Sequence, residues 1–111
     1  MTRRVVLTGA GTVNALAHDA PGTIAALVAG RTGIGPLDFR DVDRLTIRIG
    51  AQIRGWPGIA GMTAREAALW DPFTRYAIAA AGEAVAMAGL AGAGLAQAGV
   101  ILGTAAGGIA T

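Results

Sequence analysis

The sequence predicts an α/β fold in which short central strands lie beside a buried, Ala-rich helix. Two observations carry this. First, Val5-Val6-Leu7-Thr8-Gly9 and Val100-Ile101-Leu102-Gly103-Thr104 each place three apolar residues ahead of a Thr and a Gly, in either order. A run apolar at every position reads as a strand covered on both faces, as in a parallel sheet between helix layers. The two are expected as adjacent central strands with their loops at one edge. Second, residues 72–88 have helical spacing with Ala and Gly where a surface helix carries long polar side chains. Such a helix packs backbone close to backbone, between layers.

Taken in order, the first strand ends in the loop Thr8-Gly9-Ala10-Gly11-Thr12-Val13-Asn14. Asp19 is placed to cap a helix with Pro21 in its first turn, running to Ala29 and closed by Gly30. Residues 32–43, rich in Gly, Pro and Asp, read as loop. From 45 to 54, Leu45, Ile47, Ile49, Ala51 and Ile53 alternate with Thr46, Arg48, Gly50, Gln52 and Arg54. Period two means a half-exposed strand, one arm of a surface ribbon. Thr63-Ala64-Arg65-Glu66 has the spacing of a capping box and opens a short helix to about Trp70. Asp71-Pro72 then caps and starts the longest helix. Its apolar side holds Phe73, Ala77, Ala80, Ala81, Ala84, Val85 and Ala88, and its narrow polar stripe holds Arg75 and Glu83. Gly82 in its middle costs about 1 kcal/mol against Ala. The last strand then meets the loop Gly103-Thr104-Ala105-Ala106-Gly107-Gly108, which has almost no side chains of its own. A loop built this way lets a ligand or another backbone come close.

Composition narrows the function classes. A chain of 111 residues is one domain at most, and 53% hydrophobic with 14% charged residues suits the interior layers of a larger protein. All nine cations are scattered Arg and the net charge is only +2, so no nucleic-acid surface is expected. Cys, Ser and Lys are absent and His18 is the single histidine. A thiolate, serine or Schiff-base nucleophile is therefore excluded within these residues, as is a histidine metal cluster. Two apolar stretches imitate targeting segments. The run after Arg3-Arg4 resembles a signal peptide, but Thr8, Gly9, Gly11, Thr12 and Asn14 break it. The stretch after Ala84 resembles a membrane helix, but Gly89, Gly92 and Gly94 interrupt it. Neither a leader nor a membrane span is expected.

The first glycine loop invites a dinucleotide-binding reading that fails on spacing. A fingerprint begun at Gly9 needs glycine at position 14, which is Asn14, and the helix starts about ten residues too late to hold a pyrophosphate. Asp38, Asp41 and Asp43 lack the glycine turn and terminal Glu of a calcium loop. Arg40 and Arg44 interleave with them, so a self-neutralising solvated loop is expected. His18 beside Asp19 reads as a loop or cap residue.

Four segments together resemble the β-ketoacyl-acyl-carrier-protein synthases, most closely the chain-elongating ones. They are Arg3-Arg4-Val5-Val6-Leu7-Thr8-Gly9-Ala10-Gly11, Ala29-Gly30-Arg31-Thr32-Gly33-Ile34, Asp71-Pro72-Phe73-Thr74-Arg75-Tyr76-Ala77 leading to Ala88-Gly89-Leu90, and the stretch 99–108. The resemblance implies a thiolase-like layered fold, with residues 1–111 as the first part of its N-terminal half, truncated at the C-terminal end. It implies a decarboxylative Claisen condensation of an acyl primer with malonyl-carrier protein, in fatty-acid or polyketide synthesis. The Cys nucleophile and two His are expected beyond Thr111, so no catalytic residue falls in this chain, which alone should be inactive. No resident cofactor is expected; substrates arrive on the phosphopantetheine of acyl carrier protein. A cytoplasmic homodimer is the expected whole. In the resembling synthases the last loop reads Gly-(Ser/Thr)-Gly-Ile-Gly-Gly, with the Ile at the mouth of the acyl pocket. Here Ala106 takes that gate position, among the pocket-loop candidates Thr104, Ala106, Gly107 and Gly108. Of the cations that meet the carrier protein on the short helix, only Arg65 is present; Ala68 and Leu69 replace two others. Two other readings stand beside this one: a non-catalytic chain-length-factor-like partner, and an unrelated small binding or membrane module.

Overall fold

A computed structural model of the chain describes residues 2–90 and 92–108. The expected break at Thr111 lies outside them. The described elements, in order, are α1 (Ala20–Val28), β1 (Ile34–Pro36), β2 (Ile49–Ala51), α2 (Ala64–Leu69) and α3 (Pro72–Met87), with 3₁₀ turns at Val42–Arg44 and Gly92–Gly94. They fall into two compact units, residues 13–57 and residues 2–12 with 58–108.

The smaller unit is built by local chemistry. The Asp19 carboxylate accepts the Gly22 amide at 2.7 Å, and α1 starts there. At its other end the Arg31 amide reaches back to the Ala26 carbonyl at 2.9 Å and the Gly30 amide to Leu27 at 3.1 Å. That pairing needs a left-handed residue between helix and exit, and Gly30 supplies it at φ +68°. β1 and β2 pair antiparallel in the register Ile34↔Ala51, Gly35↔Gly50, Pro36↔Ile49. The ribbon arm expected over 45–54 is thus a strand only at 49–51, and its partner comes from the stretch read as loop. The reason is side-chain chemistry. The Gln52 amide donates to the Asp38 carbonyl at 2.7 Å and accepts the Asp38 amide at 2.8 Å, replacing ladder bonds with its own. In the acidic loop, Asp41 pairs with Arg40 at 3.7 Å; Asp43 pairs with Arg48, not Arg44, also at 3.7 Å. No group of three metal-ligating residues forms among the described residues.

In the larger unit, α2 opens on the expected capping box and α3 opens on Pro72. α3 ends as α1 does: Leu90 bonds to Val85 at 3.2 Å and Gly89 to Ala86 at 3.1 Å, with Gly89 left-handed. The segment around Gly9 lies against α3. A Cβ at Gly9 would stand 2.0 Å from the Ala84 carbonyl oxygen, and one at Gly11 1.9 Å from that of Ala80. Two bonds hold the approach: the Thr12 amide donates to Glu83 Oε2 at 2.9 Å and the Ala10 amide to Met87 Sδ at 3.4 Å.

Two expectations need correction. The runs at 5–7 and 100–102 carry no strand pairing among the described residues, because no neighbouring backbone there offers them a ladder. Nor are they covered, with Leu7 at 98% and Val100 at 90% exposure. Likewise no α3 residue is fully buried; Ala26 on α1 is the one buried residue described. The glycine segment covers only one stripe of α3. No described helix is long and apolar enough to cross a membrane.

Candidate functional site

The candidate site lies where the start of α3 meets the glycine-rich loop. Pro72 fixes the first helical turn, and Phe73 and Tyr76, three apart, share one helix face. The loop turns back through a local bond, the Gly107 amide donating to Thr104 Oγ1 at 3.0 Å. Gly108 follows at φ +82°, a conformation that a residue with a Cβ adopts only at a cost. Between them is a cleft of about 380 Å³ lined by Asp71, Pro72, Phe73, Tyr76, Ala106, Gly107 and Gly108.

Three of the four predicted pocket-loop residues therefore line one cleft, and the fourth, Thr104, ties the turn that presents them. Sequence reasoning missed the opposite wall, Asp71, Phe73 and Tyr76. The sequence pattern places Phe73 on the apolar side of the helix and Tyr76 on no face, and periodicity does not reveal that this face meets a loop far along the chain. Asp71 also departs from its expected capping role. Its side chain makes no cap bond, and its Oδ2 lies 3.0 Å from where a Cβ on Gly108 would be. Apart from this carboxylate and the tyrosine, the walls are carbon and bare backbone, suited to an apolar chain. They offer no thiol, serine hydroxyl or lysine amine, since the sequence lacks Cys, Ser and Lys.

A second, smaller cleft of about 220 Å³ lies further along α3, lined by Phe73, Thr74, Ala77, Ile78, Ala81, Val100 and Leu102. The apolar run before the loop thus meets α3 here. Arg65 is exposed on the first turn of α2 and lines neither cleft. His18 Nε2 lies 2.8 Å from the Arg54 carbonyl, a loop contact, as expected. In the first glycine loop, the α3 backbone occupies the space that Gly9 and Gly11 leave open. In the smaller unit, a more polar cleft of about 390 Å³ is lined in part by Gln52 and Arg54. Both side chains are engaged with backbone: Gln52 with Asp38, and Arg54 donating to the Pro36 carbonyl.

The family described as Beta-ketoacyl synthase, N-terminal domain, matches residues 2–111. Among similar proteins is the chloroplastic 3-oxoacyl-[acyl-carrier-protein] synthase I of Hordeum vulgare, 33% identical over 115 residues, covering 96% of this chain and 25% of that protein. Nodulation protein E of Rhizobium sp. (strain N33) is 38% identical over 90 residues, covering 81% of this chain and 22% of that protein. The oxytetracycline polyketide putative beta-ketoacyl synthase 1 of Streptomyces rimosus is 35% identical over 112 residues, covering 95% of this chain and 25% of that protein. The chain spans about a quarter of the length of these relatives.

Proposed function

The chain belongs to the β-ketoacyl synthase family, through its N-terminal domain, and from that premise we propose that it forms one wall of the acyl pocket of a condensing enzyme. The reading of an unrelated small module falls with the family match. In the whole protein, a cysteine outside this chain holds the acyl primer as a thioester. Malonyl-carrier protein loses CO2, the resulting carbanion attacks the thioester carbonyl, and the cysteine thiolate leaves. Substrates travel on the phosphopantetheine of acyl carrier protein, the enzyme needs no resident cofactor, and it works as a homodimer. The runs at 5–7 and 100–102 become central strands of the layered thiolase-like fold when further strands pair with them.

The observation that supports the pocket reading best is the cleft itself. Ala106, Gly107 and Gly108 line an apolar space with Phe73 and Tyr76. With Ala rather than Ile at 106, the gate side chain is shorter by three carbons, worth about 2 kcal/mol to an acyl chain that fills the space. The enzyme therefore accepts longer or bulkier primers than an Ile-gated relative. The test is Ala106→Ile in the full-length protein, with kcat/KM measured across an acyl-chain series. The expected result is a loss for long chains of roughly 30-fold, with short chains spared. A uniform change, or none, rejects the gate.

Arg65 contributes a weak docking contact for the acidic carrier protein. An exposed pair is worth about 0–1 kcal/mol, so Arg65→Ala, assayed in the same experiment, should lower carrier affinity by at most several-fold and flatten its salt dependence. Unchanged affinity and salt dependence would remove Arg65 from the docking site.

A further inference from the structure

We infer that Phe73 is a positioning residue for the 104–108 loop, setting where Ala106 stands at the cleft. This rests on the acyl-pocket reading above. The geometry starts at Gly107. A Cβ there would lie 2.7 Å from Phe73 Cε2, 2.8 Å from Phe73 Cζ and 2.8 Å from Thr104 Oγ1. Gly107 differs from its neighbour in one decisive way. Gly108 is left-handed and needs glycine for its backbone alone, whereas Gly107 is not among the positive-φ glycines. A side chain at 107 is therefore barred by what stands opposite it, and not by its own dihedrals.

Of the two obstacles, the Thr104 hydroxyl can turn about χ1, giving up its bond to the Gly107 amide. Phe73 is half-buried on the first turn of α3. It lines both the loop cleft and the cleft formed with Val100 and Leu102. Phe73 thus stands against the loop at Gly107 and shares a cleft with the run that leads into it. The next loop residue back from Gly107 is Ala106, so any shift of the 107 peptide is passed to the gate. Phe73 need not touch the substrate decisively to matter; it acts by fixing the backbone that carries Ala106.

A ring that fills the place of a missing Cβ predicts rescue. In the full-length protein, Gly107→Ala is expected to lower the exchange protection of the residue 107 amide. It should also change the ratio of kcat/KM for long over short acyl primers by roughly tenfold. Adding Phe73→Ala makes room for the new methyl, so the double variant should recover both readouts most of the way. Phe73→Leu, which keeps an apolar group of smaller reach, should recover them in part and guards against a double variant that fails to fold. Protection across residues 80–87 of α3 reports folding throughout. Two results overturn the inference: damage from the two substitutions that simply adds, or a Gly107→Ala variant silent in both readouts. Rescue of the amide protection with no effect on chain-length ratio upholds the positioning role and removes the acyl-pocket reading instead.

Discussion

Glu66 is an exposed carboxylate whose acidity is set by one neighbour. The Thr63 amide and the Thr63 hydroxyl both donate to its Oε2 at 2.8 Å, and the Glu66 amide returns a bond to Thr63 Oγ1 at 3.2 Å. These bonds favour the ionised form and hold the carboxyl below its ordinary value of 4.5, the Thr63 amide contributing most. A carboxyl whose value is depressed in the folded state adds stability that is complete above its unfolded value and is lost as pH falls through the lower, folded one. The start of α2 should therefore loosen only below pH 4.5, read as falling protection of the Thr63 amide. Glu66→Gln keeps an acceptor oxygen, so it should keep the cap at neutral pH and abolish the pH response. If the glutamine variant loosens at the same pH, another group is responsible. This box was legible in the sequence because donor and acceptor sit three residues apart. Asp71 was not: its spacing from Pro72 fits a cap, but its carboxylate turns toward Gly108, a partner that no local pattern reveals.

At the scale of elements, α3 distinguishes two kinds of glycine. Gly82, inside the helix, has nothing within 4 Å of where a Cβ would go. Gly82→Ala should therefore stabilise the protein by about 0.4–1 kcal/mol, through helix propensity and a less flexible unfolded chain. Gly9 and Gly11, opposite the helix, have carbonyl oxygens about where their Cβ atoms would be. Backbone cannot step aside as a side chain can, so Gly9→Ala and Gly11→Ala should each destabilise by about 1–3 kcal/mol or more. Denaturation midpoints of the full-length variants check both signs, and a neutral Gly11→Ala would mean the approach is not made in solution. Helix starts and stops were readable because caps are local. The expectation that α3 packs backbone to backbone also held on one stripe, but its partner did not follow from periodicity. Period shows which face is apolar and not what covers it. Glu83, assigned to the polar stripe, receives the Thr12 amide for the same reason.

At the scale of the molecule, the described residues bury little. Ala26 is buried, while Val5, Leu7, Val28, Leu69, Val100 and Ile101 all stand more than three-quarters exposed. Too little apolar area leaves water to offset the conformational entropy of ordering 111 residues. The purified chain alone should therefore self-associate and bind a hydrophobic dye, without a cooperative thermal transition. It should also transfer no acyl group above a no-protein control, since it has no Cys, Ser or Lys to serve as nucleophile. A monomeric chain with one sharp transition would contradict the first expectation. Composition had made this legible, since 53% hydrophobic residues is more than a chain of this size hides. Strand pairing was not legible in the same way, because a strand exists only with a partner. The contact between Gly9 and Ala84 also has a consequence in time. At about 5–20 residues per second, the ribosome needs about 4–15 s to travel from one to the other. Through those seconds the bare backbone at Gly9 and Gly11 has no helix to lie on. Gly9 and Gly11 are thus held in place only after residues 80–84 have been made.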